Sequence, residues 1–99
     1  MIIISGFMEL DPGDTDEFAR LSAALCVASR AEDGCSDYRF ARSVEDPARF
    51  DIFEVYDTDA ALEEHARAGH YRKWRSAVRG LGVRRTHVVR YTVTEGTPA

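Results

Sequence analysis

The sequence holds only two cysteines, Cys26 and Cys35, one lysine, Lys73, and three histidines, His65, His70 and His87. Two cysteines do not build a disulfide scaffold, so they read as free thiols in a reducing, cytoplasmic setting. No Cys-x-x-Cys or His-Glu-x-x-His spacing occurs, so no metal ligand set is expected. There is no glycine-rich phosphate loop and no Gly-x-Ser-x-Gly elbow, which removes the nucleotide-binding and serine-hydrolase signatures. No apolar run nears the ~20 residues of a membrane helix, and Met1–Ile4 is too short for the apolar part of an export signal. A membrane partner is therefore not expected. Nor is positive charge in excess: 13 basic against 17 acidic side chains give a net charge of −4. That balance argues against a nucleic-acid backbone as partner.

What is present is the composition of one small globular domain: 99 residues, 44% hydrophobic and 30% charged. A chain of this mass buries roughly 65% of the surface it exposes when unfolded, enough for a thin core. Residues 1–93 read as that domain and residues 94–99, with a Gly and a Pro, as a loose tail.

Ile2–Leu10 reads as a strand, and Asp11-Pro12-Gly13 as a turn. Asp14 with Glu17 fits a capping box opening a helix. Phe18, Leu21, Leu25 and Ala28 then recur at helical spacing, and Gly34 stops the run. Cys35–Val44 and Arg49–Tyr56 are the next strands, joined by a turn at Glu45-Asp46-Pro47. Asp57 or Thr58 caps a second helix carrying Ala61, Leu62 and His65 on one side. Gly69 interrupts it, and Tyr71, Trp74, Val78 and Leu81 continue the apolar stripe. Val83–Val93 closes the chain as a fourth strand. The order β-α-β-β-α-β, with the second helix kinked, predicts an α+β, ferredoxin-like protomer with a four-stranded antiparallel sheet and both crossovers on one face.

That sheet is apolar on both sides. Ile2, Ile4 and Met8 alternate with Ile3 and Phe7, while Phe50, Ile52 and Tyr56 alternate with Phe53 and Val55. Helices cover one face only. The other needs a partner, and a second copy in a homodimer is the simplest one.

Several runs carry a family likeness: Gly34-Cys35-x-x-Tyr38-x-Phe40, Glu45-Asp46-Pro47, Phe53-Glu54-x-Tyr56, Ala61-Leu62-x-x-His65, His70-Tyr71-x-x-Trp74 and Arg90-Tyr91-x-Val93. In this order they resemble the antibiotic biosynthesis monooxygenase (ABM) domain family, above all its short quinol-monooxygenase-like members. The resemblance implies a dimeric α+β barrel, in which two sheets pack face to face. It also implies oxidation of a phenol, quinol or anthrone-like ring by O₂ without metal, flavin or haem. The haem-degrading members carry an Asn on the first strand. Here Ser5, Gly6 and Phe7 stand there, and the chain has no Asn. The family's usual aromatic after the strand-three Glu is Trp; here it is Tyr56.

Glu54 is the residue most out of pattern, since it shares a strand face with Phe50, Ile52 and Tyr56. A carboxylate there requires a partner. It is either a proton-handling group or a structural tie between sheet and helix. His65, on the apolar side of the helix that follows, is either the candidate base or a core histidine satisfied by a carboxylate. The short connection suggests that Glu54 and His65 meet, with the carboxylate setting the imidazole tautomer. Tyr38, Tyr56, Tyr71 and Trp74 are candidate walls for a flat aromatic ligand, or ordinary core. His70, at the start of the next helical stretch, is a further candidate for substrate binding, expected to be exposed. His87 sits in a strand of mixed polarity. Arg85 and Arg90 read as surface or dimer-contact groups. The expected activity is a cofactor-independent monooxygenase; the alternative is a dimeric, non-catalytic small-ligand-binding or stress-related protein of the same fold.

Overall fold

The computed structural model of the chain describes residues 1–99. Strand β1 runs Ile2–Leu10, α1 Thr15–Arg30, β2 Cys35–Arg42, β3 Arg49–Tyr56, α2 Asp59–Arg67, α3 Gly69–Val78 and β4 Val83–Thr92. The strands form one antiparallel sheet in the order β2-β3-β1-β4. This is the ferredoxin-like α+β arrangement that the element order predicts. No helix is long and apolar enough to cross a membrane.

The differences from expectation are local and have local causes. β2 ends at Arg42, not Val44, because the Ser43 hydroxyl accepts the backbone N–H groups of Glu45 and Asp46 and starts the turn early. β4 ends at Thr92. The capping box at Asp14 does not form. A short 3₁₀ turn, Pro12–Asp14, precedes α1, and the Asp14 carboxylate instead accepts the backbone N–H of Gly82 at 2.8 Å. Glu17 is drawn to Arg20. At α2 the cap is Thr58, whose hydroxyl accepts the N–H of Ala61 at 3.1 Å. The expected kink is a full break: Ala68 is extended, at φ −65° and ψ 142°, so α2 and α3 are separate helices.

Gly34 earns its place twice over. Its φ of +81° lies in the left-handed region, and a Cβ there would meet the Ala61 Cβ at 2.7 Å. The bare backbone lets the turn after α1 sit against α2. Gly6 does the same inside the sheet, where a Cβ would collide with the His87 backbone carbonyl.

The helix-facing side of the sheet holds the core. Met8, Leu10, Phe50 and Ile52 pack with Phe18 of α1 and Val78 of α3. Ile2, Tyr38 and Tyr56 pack with Leu25 and Cys26 of α1. Full burial of such side chains contributes about 1.5–3 kcal/mol each. Every second residue of β3 is buried, and Glu54 belongs to that buried set.

The opposite side of the sheet is polarised. At one end Ile3, Val55 and Tyr91 lie across β1, β3 and β4 in register. At the other end the rings carry cations. The Arg49 guanidinium lies 4.1 Å from the Phe7 centroid, Arg85 5.0 Å from the same ring, and Arg39 5.0 Å from that of Phe53. Arg85 thus sits over an aromatic ring on the outer face. Arg90 is on the helix side, paired with Asp59 of α2.

Candidate active site

Along β4 the helix layer thins. Thr86 and Val88 face the helix side yet stay exposed, and between them and α2–α3 a cavity of about 800 Å³ opens. That is the size of an ordinary small-molecule site. Its wall is mainly apolar: Ile4, Met8, Phe40, Ile52, Leu62 and Val78 contribute. One carboxyl, one imidazole and two guanidinium groups interrupt it: Glu54 from β3, His65 from α2, Arg75 from α3 and Arg79 at the end of that helix.

Of the expected site residues, Glu54, His65, Tyr38, Tyr71 and Trp74 all line this cavity. Tyr56 and His70 do not. Tyr56 is fully buried behind Glu54, and its hydroxyl donates to Glu54 Oε1 at 2.7 Å. It is a partner of the carboxyl rather than a wall. Trp74 serves both packing and site. Its Nε1–H donates to the Ser22 hydroxyl of α1 at 3.0 Å, which holds α3 against α1.

The hydrogen bond expected between Glu54 and His65 is not formed. Glu54 satisfies itself along its own strand through Tyr56. His65 takes a carboxylate from elsewhere: its Nδ1 lies 2.8 Å from Glu32 Oε2, in the turn after α1. The strand-to-helix connection does bring Glu54 and His65 to one cavity. The turn at Gly34 delivers a nearer acceptor to the ring.

Glu32 also takes His70 Nε2 on the same oxygen. His70 is therefore not a free surface residue; it is half-buried and tied to this carboxylate. A carboxylate only accepts, so both ring nitrogens that reach it carry hydrogen. In a neutral His65 this leaves Nε2 as the bare acceptor. That nitrogen is buried and has no hydrogen-bond partner, in a residue only 3% exposed. Three tyrosine rings surround the imidazole: Tyr71 at 4.8 Å, Tyr38 at 5.0 Å and Tyr56 at 5.5 Å between centroids.

Glu54 is 9% exposed, and desolvation pushes its carboxyl up to about 7. The Tyr56 hydrogen bond pulls the other way, the charge of Glu32 adds to the rise, and Tyr38 opposes it by hydrogen bonding. The same burial raises both phenols, Tyr38 and Tyr56, well above the usual tyrosine range. They stay protonated donors. The Cys35 thiol is likewise raised, to about 11, by burial. At neutral pH it is a thiol and a poor nucleophile.

The trio Glu32, His65 and His70 offers one ligand atom each, all within 4.8 Å of one another. Two imidazoles and a carboxylate are a donor set suited to a first-row divalent metal. No short sequence spacing reveals it, because one member comes from the α1–β2 turn and the others flank the α2–α3 break. Glu32, Arg75 and Arg79 were not among the expected site residues. The first needs the fold to be recognised. The two arginines stand one helical turn apart beyond Tyr71, a spacing visible in the sequence.

A family model described as antibiotic biosynthesis monooxygenase matches residues 1–77. "Putative monooxygenase Rv0793" of Mycobacterium tuberculosis is 34% identical over 76 residues, 77% of this chain and 73% of that protein. "Putative monooxygenase YcnE" of Bacillus subtilis is 27% identical over 71 residues, 72% of this chain and 75% of that protein. The match to "Uncharacterized protein sll1783" of Synechocystis, 30% identical over 73 residues, spans half of that protein's length. Among solved structures, that of Rv0793 superposes with a TM-score of 0.88 at 26% identity, over 98% of each chain. An antibiotic biosynthesis monooxygenase-like structure from Deinococcus radiodurans gives 0.92 at 23% identity, over 100% of this chain and 98% of that one, which speaks for the fold alone.

Proposed function

The chain belongs to the antibiotic biosynthesis monooxygenase family, and we propose that it is an oxygenase whose own organic substrate supplies every electron that O₂ takes up. The substrate class is an electron-rich phenol, quinol or anthrone-like ring. For an anthrone-like methylene the balance is R₂CH₂ + O₂ → R₂C=O + H₂O. No further reductant enters, so the protein needs a dry cavity, a base, and a donor for the reduced oxygen.

The observation that carries this reading is the state of His65: one nitrogen held by Glu32, the other buried and unpartnered beside an apolar cavity. In the proposed sequence Nε2 takes the acidic hydrogen of the substrate as a proton. The electron pair left on the ring passes to O₂, and a C–O bond forms. Glu54, protonated about half the time near pH 7, gives its proton to the peroxide oxygen. The Glu54 carboxylate then takes the second C–H proton, the freed electron pair forms the carbonyl as the O–O bond breaks, and the leaving hydroxide collects the proton held by His65 and departs as water, which restores both groups. Tyr71 and Trp74, stacked 6.0 Å apart, hold the flat ring. Glu32 is a positioning residue: it sets the tautomer and touches no substrate.

A homodimer closed by a twofold contact of the outer sheet faces is part of this reading, and the polarity of that face supports it. The uncharged end at Ile3, Val55 and Tyr91 is its apolar centre, and the arginine-covered rings are its rim.

The reading is tested by oxygen consumption with a panel of naphthols, quinols and anthrones. One O₂ consumed per product, without released hydrogen peroxide, supports it. Ligand binding with no oxygen uptake across the panel contradicts it and leaves the binding-protein alternative.

A further inference from the structure

The cavity is chemically asymmetric, and its asymmetry follows α3. Tyr71, near the start of the helix, lies against His65, at 4.8 Å between centroids. Arg75 and Arg79 follow on the same helix and line the same cavity. At 1.5 Å per residue they stand about 6 and 12 Å further along the axis than Tyr71. Glu54 and His65 are buried, whereas both arginines are exposed. The proton-handling groups therefore occupy an inner end, and two cations the outer one.

Those cations are free. Eight of the twelve arginines in the chain form ion pairs, whereas Arg72, Lys73, Arg75 and Arg79 form none with any carboxylate. Residues 69–79 contain no Asp or Glu, in a chain that carries 17 of them. A solvated helix face in an acidic protein ordinarily mixes its signs. An all-basic one over a cavity mouth raises the local concentration of anions and speeds their entry.

We propose that the ligand of this cavity is an anion: a flat body of two or three fused rings with an ionisable O–H or C–H at one end and a carboxylate at the other. The carboxylate meets Arg75 and Arg79 at the mouth, and the reactive end lies against His65 and Glu54. This rests on the oxygenase reading for the reactive end, but the affinity of the charged end is measured separately from turnover. Guanidinium groups suit a carboxylate because their planar fork matches it with two parallel hydrogen bonds. The orientation also has a catalytic consequence, because it keeps the ligand's permanent negative charge out of the apolar end, where it would raise the cost of forming a carbanion.

The test is equilibrium binding, read by quenching of the single tryptophan, Trp74. The probes are 6-hydroxy-2-naphthoate, with its two groups at opposite ends, and 2-naphthol, which lacks the carboxylate. The intact protein is expected to bind the naphthoate about tenfold more tightly, and the advantage to shrink at high salt. The double variant Arg75→Gln/Arg79→Gln removes that advantage and leaves 2-naphthol affinity within about twofold. Both positions are exposed, so the variant folds; unchanged circular dichroism verifies it. Equal affinity for the two probes, no naphthoate binding, or full naphthoate affinity in the double variant would each overturn the proposal. None of these results depends on oxygen uptake, so a failure of the oxygenase reading is seen separately, as binding without turnover.

Discussion

Glu32 and His65 are joined through Oε2 and Nδ1 at 2.8 Å, across 33 positions of sequence. One carboxylate thereby decides which nitrogen of a buried imidazole carries hydrogen, and leaves the other without a partner. The arrangement has the logic of a base with an orienting group behind it. His70 on the same oxygen keeps Glu32 from turning away.

His65→Ala is expected to lower kcat by about 10²- to 10⁴-fold, the range of a lost general base. Glu32→Gln keeps a hydrogen-bonding group but no charge, so its loss should be smaller and should come with an altered pH profile of kcat/KM. In His65→Ala, Glu32 also loses one of its two imidazole partners, at a cost of about 1–3 kcal/mol of stability. Steady-state kinetics and urea unfolding check the two effects.

Glu54 makes the fold sensitive to pH in a definite direction. Its folded-state value is about 7, above the reference of 4.5. Between those values the folded protein holds a proton that the unfolded chain has released. Stability therefore falls as pH rises through the window, by on the order of 3 kcal/mol, and the loss is complete above about 7. Glu54→Gln removes the effect. The variant should match the parent near pH 4.5 and exceed it at pH 8, in denaturant unfolding at the two pH values. The same group, acting as an acid, makes turnover decline as pH rises through about 7.

A dimer should be the species in solution. Light scattering is expected to report twice the 11.1 kDa chain mass at micromolar concentration. Val55→Arg, placed between Ile3 and the edge of β2, should dissociate it and reduce its stability, because the sheet contact replaces half a core.

Metal removal separates the two roles open to Glu32, His65 and His70. The hydrogen-bonded role predicts that dialysis against a chelator leaves oxygen uptake and melting temperature unchanged. A stoichiometric divalent metal in the purified protein, with activity lost on its removal, would assign the trio to metal binding instead.

The strands and helices were readable because their signals are local. Alternating residues in Arg49–Tyr56, the stop at Gly34 and the apolar recurrence from Phe18 to Ala28 each need only near neighbours. Glu54 was readable for the same reason, as one charge in an apolar alternation. Its partner was not. Tyr56 hydrogen-bonds it along the same strand, while His65 turns to Glu32, whose approach depends on a left-handed glycine and on how the α1 turn meets α2. Asp14 shows the same limit at a helix start: a tertiary donor, the Gly82 N–H, replaced the local cap. Which polar group finds which partner is decided by packing, not by spacing.

The most direct test of the account is the fate of oxygen-18. The protein is given an anthrone substrate under labelled O₂, and the product is analysed by mass spectrometry. The account predicts one labelled oxygen in the new carbonyl, with the second leaving as water, and loss of labelled product in His65→Ala. Unlabelled product, hydrogen peroxide released in proportion to substrate consumed, or undiminished labelling in His65→Ala would contradict it.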